Sequence, residues 1–183
     1  MQILSIVKIA LLILGVAIAA LLLYATTRPN TFRVERSISI KASPERVFAL
    51  INDLHSFHSW NPYAKKDPTM TITYSGAATG KSAKYAWESK EVGVGSMEIT
   101  DATAPSLVAI NLDFVKPFEA HNQVTFTMAA EAGGTTRVTW AMFGPVPYMS
   151  KVMHLLFNID KMIGDDFEIG LRDLKAQAEA ESN

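Results

Sequence analysis

The spacing of apolar and polar residues divides the chain into three parts. Residues 1–25 are apolar almost without interruption, and Ser5 and Lys8 are the polar exceptions in the stretch ILSIVKIALLILGVAIAALLLYA. Residues 26–30, TTRPN, form a short polar linker that contains a proline. From residue 31 onward, apolar positions recur at the spacing of strands and amphipathic helices. The pattern predicts an apolar N-terminal segment over 1–25, a linker over 26–30 and one folded domain over 31–183.

The folded part begins with a strand and then turns at once into helix. Residues 32–41 alternate between apolar and polar side chains, which predicts a half-buried strand, although Arg36 falls on the apolar side. Ser43 suits the N-cap of a helix. A second helical turn over 55–60 is expected to end before Pro62, because proline disfavours helix in the residue that precedes it.

Six further alternating runs fill the middle of the chain. Glycine or proline separates most of them, and Gly133-Gly134, between the last two runs, is the strongest hairpin signal. Consecutive strands joined by short turns predict an antiparallel sheet. The runs lie at 69–75, 82–89, 95–103, 107–115, 121–131 and 135–143.

The C-terminal part of the sequence predicts a long amphipathic helix. Apolar residues recur at steps of three and four from Met162 to Ala178, after a short lead-in turn over 149–157. Gly164 and Gly170 lie inside this helix, where each costs about 1 kcal/mol relative to alanine. They indicate either close packing of the helix on the sheet or room left for a ligand. The order of elements predicts an α+β domain whose sheet wraps round the C-terminal helix.

The N-terminal segment is expected to be a membrane anchor. Its unbroken apolar part, Ile9 to Ala25, approaches the roughly 20 residues of a spanning helix, and Lys8 can extend its amine to the headgroups. A cleaved signal peptide is the alternative, but its apolar region is usually only about 7–15 residues long. We therefore expect one uncleaved pass through residues 3–25, in a bacterial cytoplasmic membrane. The arginines after the segment favour a cytoplasmic domain, whereas the short N-terminal tail fits the opposite orientation equally well.

Charge and composition narrow the classes of partner. The formal net charge is −1, which argues against nucleic acid as the main partner. The chain has no cysteine, so disulfides and thiolate metal sites are excluded. His55 and His58, even with Asp53, provide too weak a ligand set for zinc. The sequence predicts no metal and no cofactor.

The inner face of the sheet is the candidate binding surface. Alternation places large aromatic residues and methionines there, and these suit an apolar pocket and a solid core equally well. The candidate lining residues are Phe57, Trp60, Tyr74, Tyr85, Trp87, Met97, Ile110, Leu112, Phe126, Met128, Trp140, Met142, Ile163 and Phe167.

Signals for catalysis are sparse. The sequence contains no glycine-rich phosphate loop, no HExxH and no Gly-x-Ser-x-Gly. Alternate residues of a strand point to opposite faces of the sheet, and this places most carboxylates of the strands, and His121, on the polar outer face. Only Tyr74, Tyr85 and Asn111 are candidates to orient a polar group inside a pocket, so no catalytic residue is assigned.

Four segments together resemble the SRPBCC or START-like superfamily, in its polyketide cyclase/dehydrase and lipid transport branch. They are FRVERSISIKASPERVFALINDLHSFHSWNPY, GVGSMEIT, GGTTRVTW and FEIGLRDLK, and the resemblance extends over about residues 31 to 180. It implies the helix-grip fold, a seven-stranded antiparallel sheet around a long C-terminal helix. The shared positions have structural roles: Pro44, Glu45, Val47, Phe48, Trp60 and Gly170.

The resemblance leaves three functions open, because members of the superfamily differ in activity. The favoured hypothesis is a membrane-tethered binder or carrier for a hydrophobic, lipid-like molecule, with residues 43–63 forming a rim of the cavity. The second is a cyclase or dehydratase, but the near-absence of polar residues on the inner face makes it less favoured. The third is a non-catalytic interaction module with a solid core.

Overall fold

One sheet and the C-terminal helix together account for about half of the chain. The computed structural model describes residues 2–180 and the side chains of residues 4–180, so the last three residues of the predicted domain lie outside the described part. In chain order the elements are α1 (Gln2–Thr26), β1 (Thr31–Ile40), α2 (Pro44–Asn52), α3 (Leu54–Trp60), α4 (Pro62–Lys66), β2 (Thr71–Gly76), β3 (Ala83–Ser89), β4 (Gly93–Thr103), β5 (Leu107–Lys116), β6 (Ala120–Glu131), β7 (Thr135–Pro145), α5 (Tyr148–Leu156) and α6 (Ile159–Ala180).

The sheet has the predicted strands and direction. Its seven strands lie in the order β1-β7-β6-β5-β4-β3-β2, and neighbours are antiparallel. Successive strands from β2 to β7 therefore form a meander, and β1 closes the other edge beside β7. Gly133 and Gly134 both have positive φ, at 75° and 73°, which only glycine adopts without strain, so the predicted hairpin is confirmed.

The helices after β1 begin and end as their cap residues dictate. Ser43 caps α2 by accepting a hydrogen bond from the Arg46 backbone N–H at 3.3 Å. Asn61 ends α3 and at the same time caps α4, accepting from the Tyr63 backbone N–H at 3.1 Å. The sequence predicted the stop before Pro62 but not α4, which begins there because proline suits the first helical turn.

The chain separates into two compact units. The helical unit contains α1, the linker, the first residues of β1, and α5. The sheet unit contains the rest of β1, the remaining strands except the last residue of β7, α2 to α4, and all of α6 except its first residue.

The core of the sheet unit lies between the sheet and the helices that pack on its inner face. Trp140 of β7 stacks on Phe167 of α6, with ring centroids 4.1 Å apart and planes at 10°. Residues from α2 and α3, including Val47, Ile51 and Trp60, are completely excluded from solvent. One side of the helical segment between β1 and β2 therefore packs into the core of the sheet unit.

Candidate functional site

The structure places most of the predicted lining residues inside the sheet unit. Eleven of the fourteen are buried, and the other three, Tyr74, Leu112 and Ile163, are half-buried. The buried residues are Phe57, Trp60, Tyr85, Trp87, Met97, Ile110, Phe126, Met128, Trp140, Met142 and Phe167. They separate into a filled region and a less covered region.

The filled region is an aromatic cluster, defined here as Phe57, Trp60, Phe126, Trp140 and Phe167. Trp60 lies edge-on to Phe126 at 5.9 Å and to Trp140 at 5.8 Å, measured between ring centroids. Phe57 meets Trp60 at 4.7 Å. At most 4% of any of these side chains is exposed. Edge-to-face contacts at these distances are those of a packed core, so protein side chains fill this part of the inner face.

The two helical glycines serve close packing. A Cβ on Gly170 would lie 2.8 Å from Cζ3 of Trp140 and 2.9 Å from Cδ of Pro62. A Cβ on Gly164 would collide with the guanidinium of Arg36. Of the two explanations that the sequence left open, contact with the sheet is confirmed at both positions. The space next to each glycine is occupied by a side chain of this domain.

The less covered region is a patch on β3, β4 and β5 that we call the Trp87 patch: Trp87, Gly95, Met97, Leu112 and Phe114. The strand register joins them, since Trp87 pairs with Gly95, Gly95 with Phe114, and Met97 with Leu112. The Trp87 ring lies over Gly95, where a Cβ would be 2.5 Å from its Cζ2, and meets the Phe114 ring edge-on at 5.6 Å. Leu112 and Phe114 remain half-buried.

The indole N–H groups distinguish the three tryptophans. Trp60 donates its Nε1–H to the Leu50 carbonyl at 3.1 Å. Trp87 and Trp140 are 6% and 3% exposed, and neither Nε1–H has an acceptor among the described residues. A buried donor without a partner costs about 1–3 kcal/mol. In the Trp87 patch this donor lies beside half-buried apolar residues, whereas Trp140 lies within the aromatic cluster.

Polar side chains gather where α3 meets β2 and β3. The His55 ring stacks on Tyr74 with centroids 3.8 Å apart, and the Tyr85 hydroxyl lies 3.4 Å from Nδ1 of His58. Burial raises the pKa of Tyr85 to about 12, so its phenol stays protonated at neutral pH. The two histidines thus have different aromatic neighbours.

The prediction that Asn111 could reach a pocket is wrong. Asn111 is exposed, and its register neighbours Glu98 and Gln123 belong to the outer face of the sheet. The reason is strand parity, because Ile110 and Leu112 on either side point inward. On the outer face His121 lies 2.6 Å from Asp113, and that contact raises the pKa of His121.

The sequence did not indicate one buried polar junction, at Asp67. Its carboxylate accepts hydrogen bonds from Ser89 Oγ at 2.6 Å, Thr69 Oγ1 at 2.6 Å and the Thr69 backbone N–H at 2.9 Å. These bonds lower the pKa of Asp67. Asp67 follows α4 and Ser89 ends β3, two residues after Trp87, so the junction fixes the backbone beside the Trp87 patch. The Asp-Pro dipeptide at 67–68 was the only local signal, and it indicates a turn.

Comparison with known proteins identifies the family. The sequence profile described as polyketide cyclase / dehydrase and lipid transport matches residues 31–179. No curated protein matches the sequence.

Solved structures share the fold at low sequence identity. A Nitrosospira multiformis protein is 17% identical with a TM-score of 0.59, and the match covers 82% of this chain and 99% of that one. The Aha1 dimer of Colwellia psychrerythraea is 14% identical with a TM-score of 0.58, over 83% and 99% of the two chains. A Thermus thermophilus protein is 21% identical with a TM-score of 0.57, over 83% and 100%.

The family match and the structure agree in extent. The matched residues run from the start of β1 almost to the end of α6, and the sheet and long helix have the arrangement that the sequence resemblance implied. This chain therefore belongs to the polyketide cyclase/dehydrase and lipid transport family.

Proposed function

We propose that the protein is a membrane-tethered binder or carrier of an amphipathic, lipid-like molecule. The family description includes lipid transport, which supports a hydrophobic ligand in general terms. The Trp87 patch is the best-supported place for it, because two of its apolar side chains, Leu112 and Phe114, are only half-buried.

The unpartnered Nε1–H of Trp87 is the single observation that carries this proposal. The Trp87 Nε1–H is covered in this arrangement, so a ligand reaches it only when Leu112 and Phe114 move aside. An apolar molecule bearing one oxygen acceptor would then satisfy that donor while its hydrocarbon part covered Leu112 and Phe114. Burial of apolar surface contributes about 25 cal/mol per Å², so a long acyl or isoprenoid chain supplies most of the affinity. The hydrogen bond then orients the ligand.

The N-terminal helix supports the tether. Residues Leu4–Thr26 of α1 form a helix that is long and apolar enough to cross a membrane by length and composition. Most of its large side chains are exposed, including Leu12 at 68% and Leu23 at 70%. A tether keeps the binding surface next to a source of lipid.

The enzymatic alternative has less support from the inner face. Its candidate polar groups were Tyr74, Tyr85 and Asn111, and Asn111 is on the outer face. Burial raises the pKa of both tyrosines, so neither phenol is suited to act as a base at neutral pH.

A protein-interaction module is the second candidate, and the aromatic cluster favours it. Contacts between aromatic side chains fill the region around Trp60. If side chains also close the Trp87 patch in solution, the domain has a solid core and acts through its surface.

The test is binding of a fluorescent fatty acid, dansyl-undecanoic acid, to residues 30–183. The matches to the similar solved structures cover 99% and 100% of those chains, so the fold without α1 corresponds to a complete solved protein. Trp87→Phe removes one N–H while keeping an aromatic ring, and we expect it to weaken binding about fivefold to tenfold, the equivalent of one hydrogen bond. Trp140→Phe is the matched control, since it removes the other unpartnered indole N–H, and we expect unchanged affinity.

The outcomes separate the candidates. Equal effects of the two substitutions would remove the Trp87 patch as the site. The interaction module would be favoured by two results together. The unsubstituted domain would fail to bind the probe, and native mass spectrometry of the domain purified from cells would give the mass of the polypeptide without a ligand.

A further inference from the structure

Helix α5 carries a stripe of exposed apolar side chains. Met149, Met153 and Leu156 are separated by four and three residues, which places them on one face of the helix. They are 69%, 45% and 59% exposed. Tyr148 at 42% and Phe157 at 49% flank this face at the two ends of the helix. An exposed stripe of this size marks a contact surface.

The other side of α5 is fixed within the helical unit. The Tyr148 hydroxyl donates to the Leu22 carbonyl of α1 at 2.9 Å. Lys151, only 7% exposed, donates from Nζ to Asn30 Oδ1, and the Val146 N–H donates to the Asn30 carbonyl at 2.7 Å. The single lysine of the helix is therefore bonded to the linker and lies off the apolar stripe.

We propose that α5 is a second membrane contact, an interfacial helix that lies on the bilayer with its Met149-Met153-Leu156 stripe among the acyl chains. This inference rests on the proposed membrane anchorage of α1. It adds that the protein contacts the bilayer through two elements, α1 and α5, that are distant in sequence.

An interfacial helix must lie at the level of the lipid headgroups, and the hydrogen bond from Tyr148 to Leu22 places the start of α5 at that level. Leu22 lies four residues before Thr26, the end of the candidate span, which corresponds to about 6 Å along a helix that rises 1.5 Å per residue. Interfacial helices bury their apolar face about 5–10 Å into the boundary between headgroups and acyl chains. A tyrosine at that level has the position typical of the aromatic belt.

Continuity with α1 selects the bilayer over a protein partner. Leu22 and Leu23, beside the Tyr148 contact, are 38% and 70% exposed. If lipid covers these residues of α1, the apolar stripe of α5 begins next to the same lipid. Burial lowers the pKa of His154, which favours the uncharged imidazole in this helix.

The experiment uses depth-dependent quenching on the full chain. The sequence has no cysteine, so Met149→Cys, Met153→Cys and Leu156→Cys each provide one site for the environment-sensitive fluorophore NBD. The labelled proteins are reconstituted in vesicles of phosphatidylcholine and phosphatidylglycerol that contain doxyl-labelled lipid. We expect shallow doxyl groups to remove about half of the fluorescence at all three sites. Ala129→Cys, exposed on β6 of the sheet unit, is the control and should keep its fluorescence.

A label within α1 separates this inference from the anchor itself. Leu14→Cys, at an exposed position in the middle of α1, reports whether that helix spans. Quenching at 14 by deep doxyl groups without quenching at 149, 153 and 156 would overturn the interfacial role of α5 and leave the anchor intact. Absence of quenching at 14 would overturn the anchorage and this inference with it. Disulfide cross-linking between two copies of the unlabelled Met149→Cys protein, with no lipid quenching of the labelled form, would assign the stripe to a second copy and also overturn the proposal.

Discussion

At the scale of single residues, Arg36 explains the one break in the alternation of β1. Its guanidinium extends over Gly164 and contacts the Asp160 carboxylate at 3.0 Å and that of Glu168 at 3.3 Å. The hydrogen bond to Asp160 is the largest contribution to the raised pKa of Arg36. An arginine on the apolar side of a strand is stable here because α6 brings a glycine and two carboxylates opposite it.

Gly170→Ala should destabilise the domain although alanine is the better helix former. The new methyl group would meet the Trp140 ring and Pro62, two rigid neighbours, at less than 3 Å. Overpacking costs about 1–3 kcal/mol and the gain in helix propensity is about 1 kcal/mol, so we expect a net loss of up to about 2 kcal/mol. Urea unfolding of residues 30–183 measures it.

The control for that substitution is Ala176→Gly, at an exposed position of the same helix. It should cost about 1 kcal/mol through propensity alone. A Gly170→Ala domain more stable than the parent would mean that α6 does not need its glycine for contact with the sheet.

We expect Trp140→Ala to lower the stability of the domain more than its affinity for the ligand. The side chain is 3% exposed and stacks on Phe167, so its removal leaves a cavity and should cost about 3–5 kcal/mol. Chemical unfolding gives the stability, and dansyl-undecanoic acid titration under folding conditions gives the affinity. A larger loss of affinity than of stability would instead place the ligand in the aromatic cluster.

At the scale of elements, period-two alternation predicted all seven strands, because in each the residues of one face are more covered than those of the other. Glycine and cap residues predicted the hairpin at 133–134 and the start of α2. The pattern did not predict α4, whose start at Pro62 looks locally like a helix end. It also could not separate the filled aromatic cluster from the Trp87 patch, because both consist of inward-facing apolar residues. That difference depends on which rings α3 and α6 bring against the sheet.

The junction between α4 and β3 should make stability depend on pH. Hydrogen bonds lower the pKa of Asp67 below its ordinary value of 3.8 in the folded state. The carboxylate therefore stabilises the fold above that ordinary value, and this contribution is lost as the pH falls through the lower, folded-state pKa. We expect Asp67→Asn to be less stable than the parent near neutral pH, and to lose less stability than the parent between about pH 6 and pH 3.

Urea midpoints across that range provide the measurement. Asp101→Asn, at an exposed position of β4, is the comparison and should keep the pH dependence of the parent. If the stability of the parent and that of Asp67→Asn depended on pH in the same way, Asp67 would not be the cause of the pH dependence.

At the scale of the whole molecule, the membrane anchor is the first prediction to test. After alkaline carbonate washing of cell membranes, the full chain should remain in the pellet and residues 30–183 should appear in the supernatant. Intact mass of the pelleted protein distinguishes an uncleaved anchor from a processed signal peptide. Release of the full chain by carbonate would contradict the tether.

The position of β1 at one edge of the sheet has a consequence for biosynthesis. Within the sheet β1 neighbours only β7, and the Ser37–Thr139 hydroxyl contact at 2.8 Å joins residues separated by 102 positions. The apolar helix is synthesised before the sheet, and the strand behind it has no partner until nearly all of the sheet has been synthesised. During that interval the nascent chain exposes an unpaired edge to its surroundings. Truncated or stalled translation products should therefore be the aggregation-prone form of this protein, and on the proposed anchorage the insertion of α1 would precede closure of the fold.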